Sequence, residues 1–492
     1  MRVLITGATG FVGRALVLRL LRDGHAITAW ARSPERARAL LGAEVALANA
    51  AEGTNGLVRA MEAADAVVNL AGEPILGGRF SSGRRARLRE SRVQSTQRLV
   101  EAIAGAKIRP QVLVSASAVG YYGDRGKEPL DESSSQGRGF LAELCADWEQ
   151  AALQAESLGL RVARMRIGVV LGLGGGMVGQ LLPMLRWGLG ARPGSGRQFV
   201  PWIHLEDLVD LFENVLRDSH YHGAINAVTP APVRMGDLMD GLARVVGKRS
   251  RFSVPAALLR LALGEAADVV LSSQNTRAAR LAELGFAHKY PTLDAAVEDL
   301  SGMLSEPAIA PLASPSPAPA VASAYLGRRR ARYGLRACAT LHAPIDYVFD
   351  FFSKPANLGL MTPAAMAFRI SSMPASIKQG DIIDYTLRVA GIPLRWRTVI
   401  EHWDENRLFV DAQARGPYHA WWHEHHFAPA QEDPQGTIME DRVYYAPPLG
   451  ILGRVAQRLF VAGQLREIFA FRSQAVRLRF GKEAVPLATA TA

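Results

Sequence analysis

The first thirteen residues constrain this chain more than any other stretch. Val3, Leu4 and Ile5 form an uncharged apolar run, as expected of a strand buried on both faces of a parallel sheet. Gly7-Ala8-Thr9-Gly10-Phe11-Val12-Gly13 follows in the spacing G-x-x-G-x-x-G, and a helical pattern of Ala15, Leu16, Leu18, Leu20 and Leu21 runs on to Gly24. Strand, glycine turn and helix are the parts of a dinucleotide site. One glycine allows the tight turn, the next lets backbone approach a pyrophosphate, and the last packs helix on strand. The helix N-terminus then offers free N–H groups and its positive dipole end to the phosphates. Gly7, Thr9, Gly10, Phe11, Val12 and Gly13 are the residues expected against the cofactor.

Further along, apolar runs alternate with helical stretches. Ala26–Ala31, Asp65–Gly72, Val112–Ser117 and Val162–Ile167 read as strands of a doubly wound α/β sheet of Rossmann type. Ligands of such sheets sit at the carboxyl ends of the strands, where Gly10, Arg32, Ala71 and Ser117 fall. Ala31 and Arg32 end the second strand with no acidic residue to hold a ribose 2′-OH, so Arg32 is expected to meet a 2′-phosphate and the cofactor to be NADP(H). Arg36 and Arg38 follow closely. Leu70, Ala71 and Gly72 are small enough, or placed, to let backbone lie along the cofactor, and Glu73 is in reach of a ribose hydroxyl.

At 492 residues the chain holds two or three domains. Its formal charge of +11 divides between both halves, which argues against a nucleic-acid-binding domain. Two cysteines, Cys145 and Cys338, cannot build a disulfide framework and fit a reducing cytoplasm. The apolar run at the N-terminus breaks at Thr6-Gly7, too early for a signal peptide. No run of 18 apolar residues predicts a membrane span.

The motifs TGATGFVG, NLAGEPI, SASAVGYYG, GSGRQFVPWIHLEDLV (Gly194 to Val209), GAINAVTP (Gly223 to Pro230), LGEAADVVLSSQ and LGFAHKYPTLDAAVEDL (Leu284 to Leu300) together resemble the atypical, extended-type short-chain dehydrogenase/reductases, the epimerase-like NAD(P)-binding oxidoreductases. The resemblance covers residues 1 to about 302. The wider superfamily that this resemblance brings in shares a Ser, a Tyr-x-x-x-Lys pair and an Asn at the reaction centre, the Lys lowering the Tyr pKa, and a departure from that set is the pattern of the atypical subgroup. The chain, with only seven lysines, has no such pair. By position Leu141 stands for the Tyr, Cys145 for the Lys and Arg92 for the Asn, while Ser117 remains. Ser117, Tyr121, Tyr122 and Cys145 are therefore the candidate catalytic residues. Cys145 also reads as a small buried hydrophobe on the inner helix face. His204 reads as a loop-pinning residue paired with Asp207.

Residues 1–306 are expected to form the cofactor domain, with a small substrate lobe within about 172–302. Residues 307–332 are Pro/Ala/Ser-rich and end in a basic collar of Arg328, Arg329, Arg330 and Arg332, which predicts a semi-extended linker. Residues 333–482 read as a short strand, the helix Ile345–Phe352, five strands (Ile383–Val389, Leu394–Trp403, Arg407–Ala412, Ala420–Phe427 and Thr437–Tyr445) and a long C-terminal helix; residues 483–492 read as a disordered tail. The stretch Ala343 to Pro363 resembles the START-like superfamily of polyketide cyclases and lipid carriers. That implies a helix-grip α+β fold, an antiparallel sheet around the long C-terminal helix, enclosing a hydrophobic ligand. His419, His423, His425 and His426 crowd one strand, and His423 and His425 share a face. Two ligands do not close a metal site, so no metal is expected.

These readings converge on an NADP(H)-dependent oxidoreductase acting on a small molecule, fused to a hydrophobic-ligand-binding domain. A non-catalytic NADP(H) redox sensor and a nucleotide-sugar epimerase/dehydratase are the alternatives, and a homodimer is left open.

Overall fold

The computed structural model describes residues 1–250, 252–312, 319–321, 323–374, 376–389, 391–431 and 433–481. Contacts divide the chain into two compact units, one of Met1–Ala37 with Val45–Ser301, the other of Arg38–Glu44 with residues from Gly302 onward. Among the described residues no helix is long and apolar enough to cross a membrane.

The first unit is built on a parallel sheet of seven strands: β1 (Arg2–Thr6), β2 (Ala26–Ala31), β3 (Ala46–Asn49), β4 (Ala66–Asn69), β5 (Val112–Ala118), β6 (Arg161–Ile167) and β7 (Gly223–Ala227). Their order across the sheet is β7-β6-β5-β4-β1-β2-β3. Strand order reverses at β1, which pairs with β2 on one side and β4 on the other. That is the topological switch point at which a crevice opens at the carboxyl edge. Both faces are covered, as the uncharged runs require: Leu4, Ile5, Val67, Val68 and Leu113 have no exposed surface. Leu4, Val67, Leu113 and Val162 share one core with Leu57, Leu99 and Ile103 from the flanking helices. The helices that matter for the site are α1 (Phe11–Arg22), α2 (Ser95–Gly105), α3 (Phe140–Leu153) and α4 (Leu205–Arg217).

In the second unit eight strands form an antiparallel sheet: β8 (Ala308–Pro311), β9 (Tyr333–Leu341), β10 (Arg369–Ser372), β11 (Ile382–Val389), β12 (Ile392–Asp404), β13 (Leu408–Arg415), β14 (Ala420–Pro429) and β15 (Thr437–Ala446). The order is β8-β9-β15-β14-β13-β12-β11-β10. Helix α5 (Ile345–Ser353) follows β9, and α6 (Ala462–Phe480) ends the described chain, entered through a short helix at Gly450–Ala456 and a π turn at Gln457–Val461. Leu465 and Phe469 of α6 pack with Leu387, Trp396, Trp421 and Tyr445 of the sheet.

The spacer expected at 307–332 is not one along its length. Ala308–Pro311 pairs with Tyr333–Arg336 as an edge strand, and Ala324–Arg328 is a helical turn capped by Ser323. Leu326 is buried, and the Tyr325 hydroxyl donates to Gln413 O while accepting from Trp421 N. Composition underrated the segment because Ala308–Pro311 extends the sheet edge while Leu326 packs on the sheet's face against Val410, Ala412 and Trp422. The tail expected at 483–492 lies outside the described residues.

Candidate functional site

The glycine turn is shaped by backbone contact. Gly7 has φ +72°, and a Cβ there would stand 2.6 Å from the Leu70 carbonyl and 2.8 Å from Ala71 N. A Cβ on Gly13 would lie 2.3 Å from Gly7 O. At Gly10 the sole neighbour of such an atom is Gly7 O at 3.1 Å, and Gly10 N donates to that carbonyl at 2.9 Å. Gly10 is also the N-cap of α1 and supplies no side-chain acceptor, so the first N–H groups of α1 stay available to an anion. The result is a surface of nearly bare backbone where the Gly7 turn packs on Leu70–Ala71, the form a pyrophosphate needs. Phe11 turns aside: its ring would be 2.6 Å from a Cβ on Gly175 and 3.3 Å from one on Gly172. The glycines of that later loop admit the Phe11 ring, a role their spacing did not announce.

Behind the glycine turn lies a polar network that sequence reading did not find. Thr6 Oγ1 donates to Asn69 Oδ1 at 2.7 Å and ties the ends of β1 and β4. Asn69 Nδ2 donates to Thr96 Oγ1 and Ser115 Oγ, and Trp148 Nε1 also reaches Thr96 Oγ1. Arg92 is buried and donates to Glu73 O at 2.7 Å; its guanidinium lies over the Trp148 ring and would stand 3.1 Å from a Cβ on Gly72. Burial lowers its pKa, with the Cys145 thiol and Glu73 opposing. Arg92 thus holds the Gly72–Glu73 segment in place.

The candidate catalytic residues fall at the carboxyl end of β5, but they are not free. Ser117 Oγ donates to Glu149 Oε1 at 2.8 Å. Glu149 accepts two bonds from Arg166, at 2.8 and 2.9 Å, and one from Arg164 at 3.0 Å. Burial disfavours charge on Arg166, yet Glu149 outweighs it and raises the guanidinium pKa. The Tyr122 hydroxyl donates to Asn226 Oδ1 at 2.7 Å and accepts from Arg166 Nη1 at 2.9 Å; burial pushes its pKa up to about 12. Tyr121 keeps partial exposure, its ring 3.6 Å from the Arg166 guanidinium. Cys145 is buried on α3, its Sγ 3.5 Å and Leu141 Cβ 3.9 Å from where a Gly120 Cβ would be. Burial, with Glu149 adding to it, raises the thiol pKa to about 12.

Of the arginines after β2, Arg32 is exposed, whereas Arg38 donates to Gly42 O and Ala43 O at its own helix end. Ala31 is buried in the strand and Glu73 is half-buried, with Arg87 3.8 Å from its carboxylate. The partner expected for His204 is corrected. Its Nε2 is 3.3 Å from Asp299, and its ring lies 3.9 Å from that of Tyr290. Asp207 instead accepts from Lys289 N and Tyr290 N.

The second unit has a cavity of about 720 Å³ between α6 and the sheet, walled by Phe352, Leu358, Ile383, Leu387, Trp396 and Phe469 among others. One polar cluster interrupts this apolar wall. Register brings it together: Asp411 of β13 lies across from His423 of β14, and His425 lies across from Asp441 of β15. Asp411 Oδ2 is 3.4 Å from His423 Nδ1 and 3.0 Å from His425 Nε2. Asp441 Oδ1 is 3.1 Å from His423 Nε2 and 2.7 Å from His425 Nδ1. Arg472 of α6 reaches Asp441 Oδ2 at 3.1 Å and His425 Nδ1 at 3.2 Å. Burial raises the Asp441 carboxyl in principle, but Arg472 and the two imidazoles hold it well below the carboxylate range. The third donor whose absence spoke against a metal is therefore present as Asp411, a residue that only strand register could reveal.

A parallel sheet with a side-chain-free glycine turn at its switch point defines a Rossmann-type protein. Residues 3–227 match the NAD dependent epimerase/dehydratase family, and residues 254–300 match a domain of unknown function, DUF1731. The chain is 42% identical over 296 residues to the "Epimerase family protein SDR39U1 homolog, chloroplastic" of Arabidopsis thaliana, covering 59% of this chain and 84% of that one. It is 34% identical over 305 residues to the human "Epimerase family protein SDR39U1", covering 61% and 99%. The crystal structure of the human protein with NADPH superposes with a TM-score of 0.55 at 32% identity, over 61% of this chain and 99% of that one. The chain belongs to this epimerase family.

Proposed function

We propose that this chain is an NADP(H)-dependent oxidoreductase of the atypical short-chain type, acting on a small molecule, whose second unit is a START-like, helix-grip domain for a hydrophobic guest. The observation that carries the reading is the glycine turn of bare backbone at the switch point, leading into the N-terminus of α1, which has no side-chain cap. The human relative solved with NADPH supports it. When bound, the nicotinamide would supply or accept a hydride.

The chain's own residues then divide the work. Gly10–Gly13 and the α1 N-terminus receive the pyrophosphate, Arg32 the 2′-phosphate, and Leu70–Gly72 the ribose side. Arg92 positions the Gly72–Glu73 backbone through Glu73 O. Tyr122 and Cys145 keep their protons at neutral pH. Tyr121, partly exposed and stacked on Arg166, is the group left to meet a substrate. Fluorescence titration of the full chain with NADPH and NADH tests the reading; no binding of either sinks it.

The redox-sensor alternative is favoured by one observation: Ser117, Tyr122 and Cys145 are all buried, two of them in hydrogen bonds to neighbouring side chains. Loss of the reduced-nicotinamide band with panels of carbonyl and alkene compounds supports the enzyme; tight binding without turnover across them supports the sensor. For the second unit the support is the apolar cavity under α6. Native mass spectrometry of the purified chain should find a co-purified hydrophobic molecule.

A further inference from the structure

The cluster in the wall of the second cavity carries an inference of its own. We propose that Asp411, His423 and His425 form a mononuclear site for a divalent transition ion, Zn²⁺ or Fe²⁺ in class, open toward the apolar cavity.

Three observations support it. The first is spacing. Two donors each about 2.1 Å from one ion stand about 3.0–3.4 Å apart at angles between right and tetrahedral. Asp411 Oδ2 lies 3.4 Å from His423 Nδ1 and 3.0 Å from His425 Nε2, so both of its spacings fall in this range. Two imidazoles and one carboxylate on one face are a known donor set for such ions, leaving further positions open.

The second is what stands behind the rings. Asp441 Oδ1 faces His423 Nε2 and His425 Nδ1, the nitrogens turned away from Asp411. A metal-bound imidazole usually donates its other N–H to a carboxylate, which fixes its tautomer and orientation. Asp441 Oδ1 is placed to accept from both rings, and Arg472 anchors it at 3.1 Å. Arg472 also decides which side is the metal side. Its Nη2 is 3.2 Å from His425 Nδ1, so a cation between Asp441 and the rings would meet a positive guanidinium; the Asp411 side avoids it.

The third is rigidity and access. His423 and His425 are buried with ring centroids 3.8 Å apart, and Phe409 stacks on His425 at 4.2 Å. Asp411, both histidines and Arg472 line the cavity, so the remaining positions of the ion face a hydrophobic guest. The ligand chemistry this selects is an oxygen donor, such as a carbonyl, enol or carboxylate, on an apolar molecule. The rival is an internal network in which a protonated imidazole bridges the two carboxylates.

The test uses the full chain after EDTA treatment and dialysis, titrated with Co²⁺ and then Zn²⁺. The expected result is one saturable equivalent of Co²⁺ with a visible ligand-field band, displaced by Zn²⁺, and proton release on binding. Asp411→Asn and His423→Gln should each abolish the band while near-UV circular dichroism is kept. Asp441→Asn should keep the band but weaken affinity about 10- to 100-fold. Wild type that takes up no Co²⁺ overturns the proposal, as does equal uptake by both donor variants, which would show an adventitious ion only. Should the variants misfold, X-ray absorption of the Zn²⁺-loaded wild type decides: a sphere without two imidazole nitrogens overturns the site.

Discussion

The Ser117 hydroxyl donates a 2.8 Å hydrogen bond to Glu149 Oε1, and both residues are buried. In an epimerase-like site that serine is expected to face substrate, yet here its proton is committed to a carboxylate that also receives Arg164 and Arg166. Ser117→Ala should therefore lower stability by about 1 kcal/mol and leave NADPH affinity within about twofold. Glu149→Ala should cost about 3–5 kcal/mol, because it strands two arginines where water is scarce. Urea unfolding of the three proteins checks both figures. A fall in NADPH affinity for Ser117→Ala without loss of stability would return the serine to the cofactor site.

Cys145 gives a prediction in pH. Burial raises its folded pKa from 9.0 to about 12, so the folded state holds a proton that the unfolded state releases. This contribution to stability is fully present below pH 9 and is lost as pH rises toward 12. Tyr122 adds a similar loss between 10 and about 12. Each group steepens the decline by about 1.4 kcal/mol per pH unit at most. Cys145→Ser should remove one of the two and shift the alkaline unfolding midpoint upward, with NADPH binding retained. At pH 8 a disulfide reagent should leave Cys145 unmodified in native protein and react in denatured protein. Fast native labelling would contradict its burial.

Arg32 is expected to select NADP(H). It stands exposed beyond β2, whereas Arg38 is engaged with Gly42 O and Ala43 O, which leaves Arg32 fewer helpers than the arginine-rich sequence suggests. A charge-assisted pair with the 2′-phosphate corresponds to about 10- to 100-fold in affinity. Arg32→Ala should weaken NADPH by that factor and leave NADH nearly unchanged. Equal weakening of both cofactors would show that Arg32 does not read the 2′-phosphate.

The boundary of the second unit is tested by fragments. Ala308–Pro311 extends the sheet on β9, and Leu326 and Tyr325 pack on β13 and β14. We expect a fragment of residues 302–492 to unfold cooperatively, and one of residues 333–492 to have a clearly lower urea midpoint. Equal midpoints would return residues 307–332 to the role of a spacer.

What the sequence disclosed follows from which forces are local. The glycine spacing, the uncharged runs of β1, β4 and β5 and the two-residue alternation in Ile382–Val389 are local patterns, and each became the element they imply. The network of Thr6, Asn69, Thr96 and Trp148 was hidden because its members are 27 to 63 positions apart and meet only when strands pair. The same holds for Asp411 and Asp441, lone carboxylates within apolar strands whose meaning depends on register with β14. A signal existed in each: a charge inside a β pattern is costly unless partnered. His204 failed differently, because a carboxylate three residues away is less well placed than Asp299 on a helix packed beside it.

Gly13 offers the sharpest test of the glycine turn. It lies within α1, where alanine is intrinsically favoured over glycine by about 1 kcal/mol, so propensity alone would make Gly13→Ala stabilising. Sterics oppose this. The new Cβ would stand 2.3 Å from Gly7 O and 2.8 Å from Ala8 Cα, and both are backbone atoms that cannot swing aside. Either α1 moves away from β1 or the turn opens, and overpacking of this kind costs about 1–3 kcal/mol. The same displacement moves the α1 N-terminus relative to Gly7 and Leu70, the contact on which the turn rests. NADPH affinity should therefore fall at least about tenfold while stability falls by about 0–2 kcal/mol after the propensity gain. Gly24→Ala is the control: Gly24 also has positive φ, but nothing lies within 4 Å of its Cβ position, so it should lose stability by backbone strain and keep its affinity. Unchanged NADPH binding in Gly13→Ala would show that the turn is a packing device and that the cofactor, if bound, lies elsewhere.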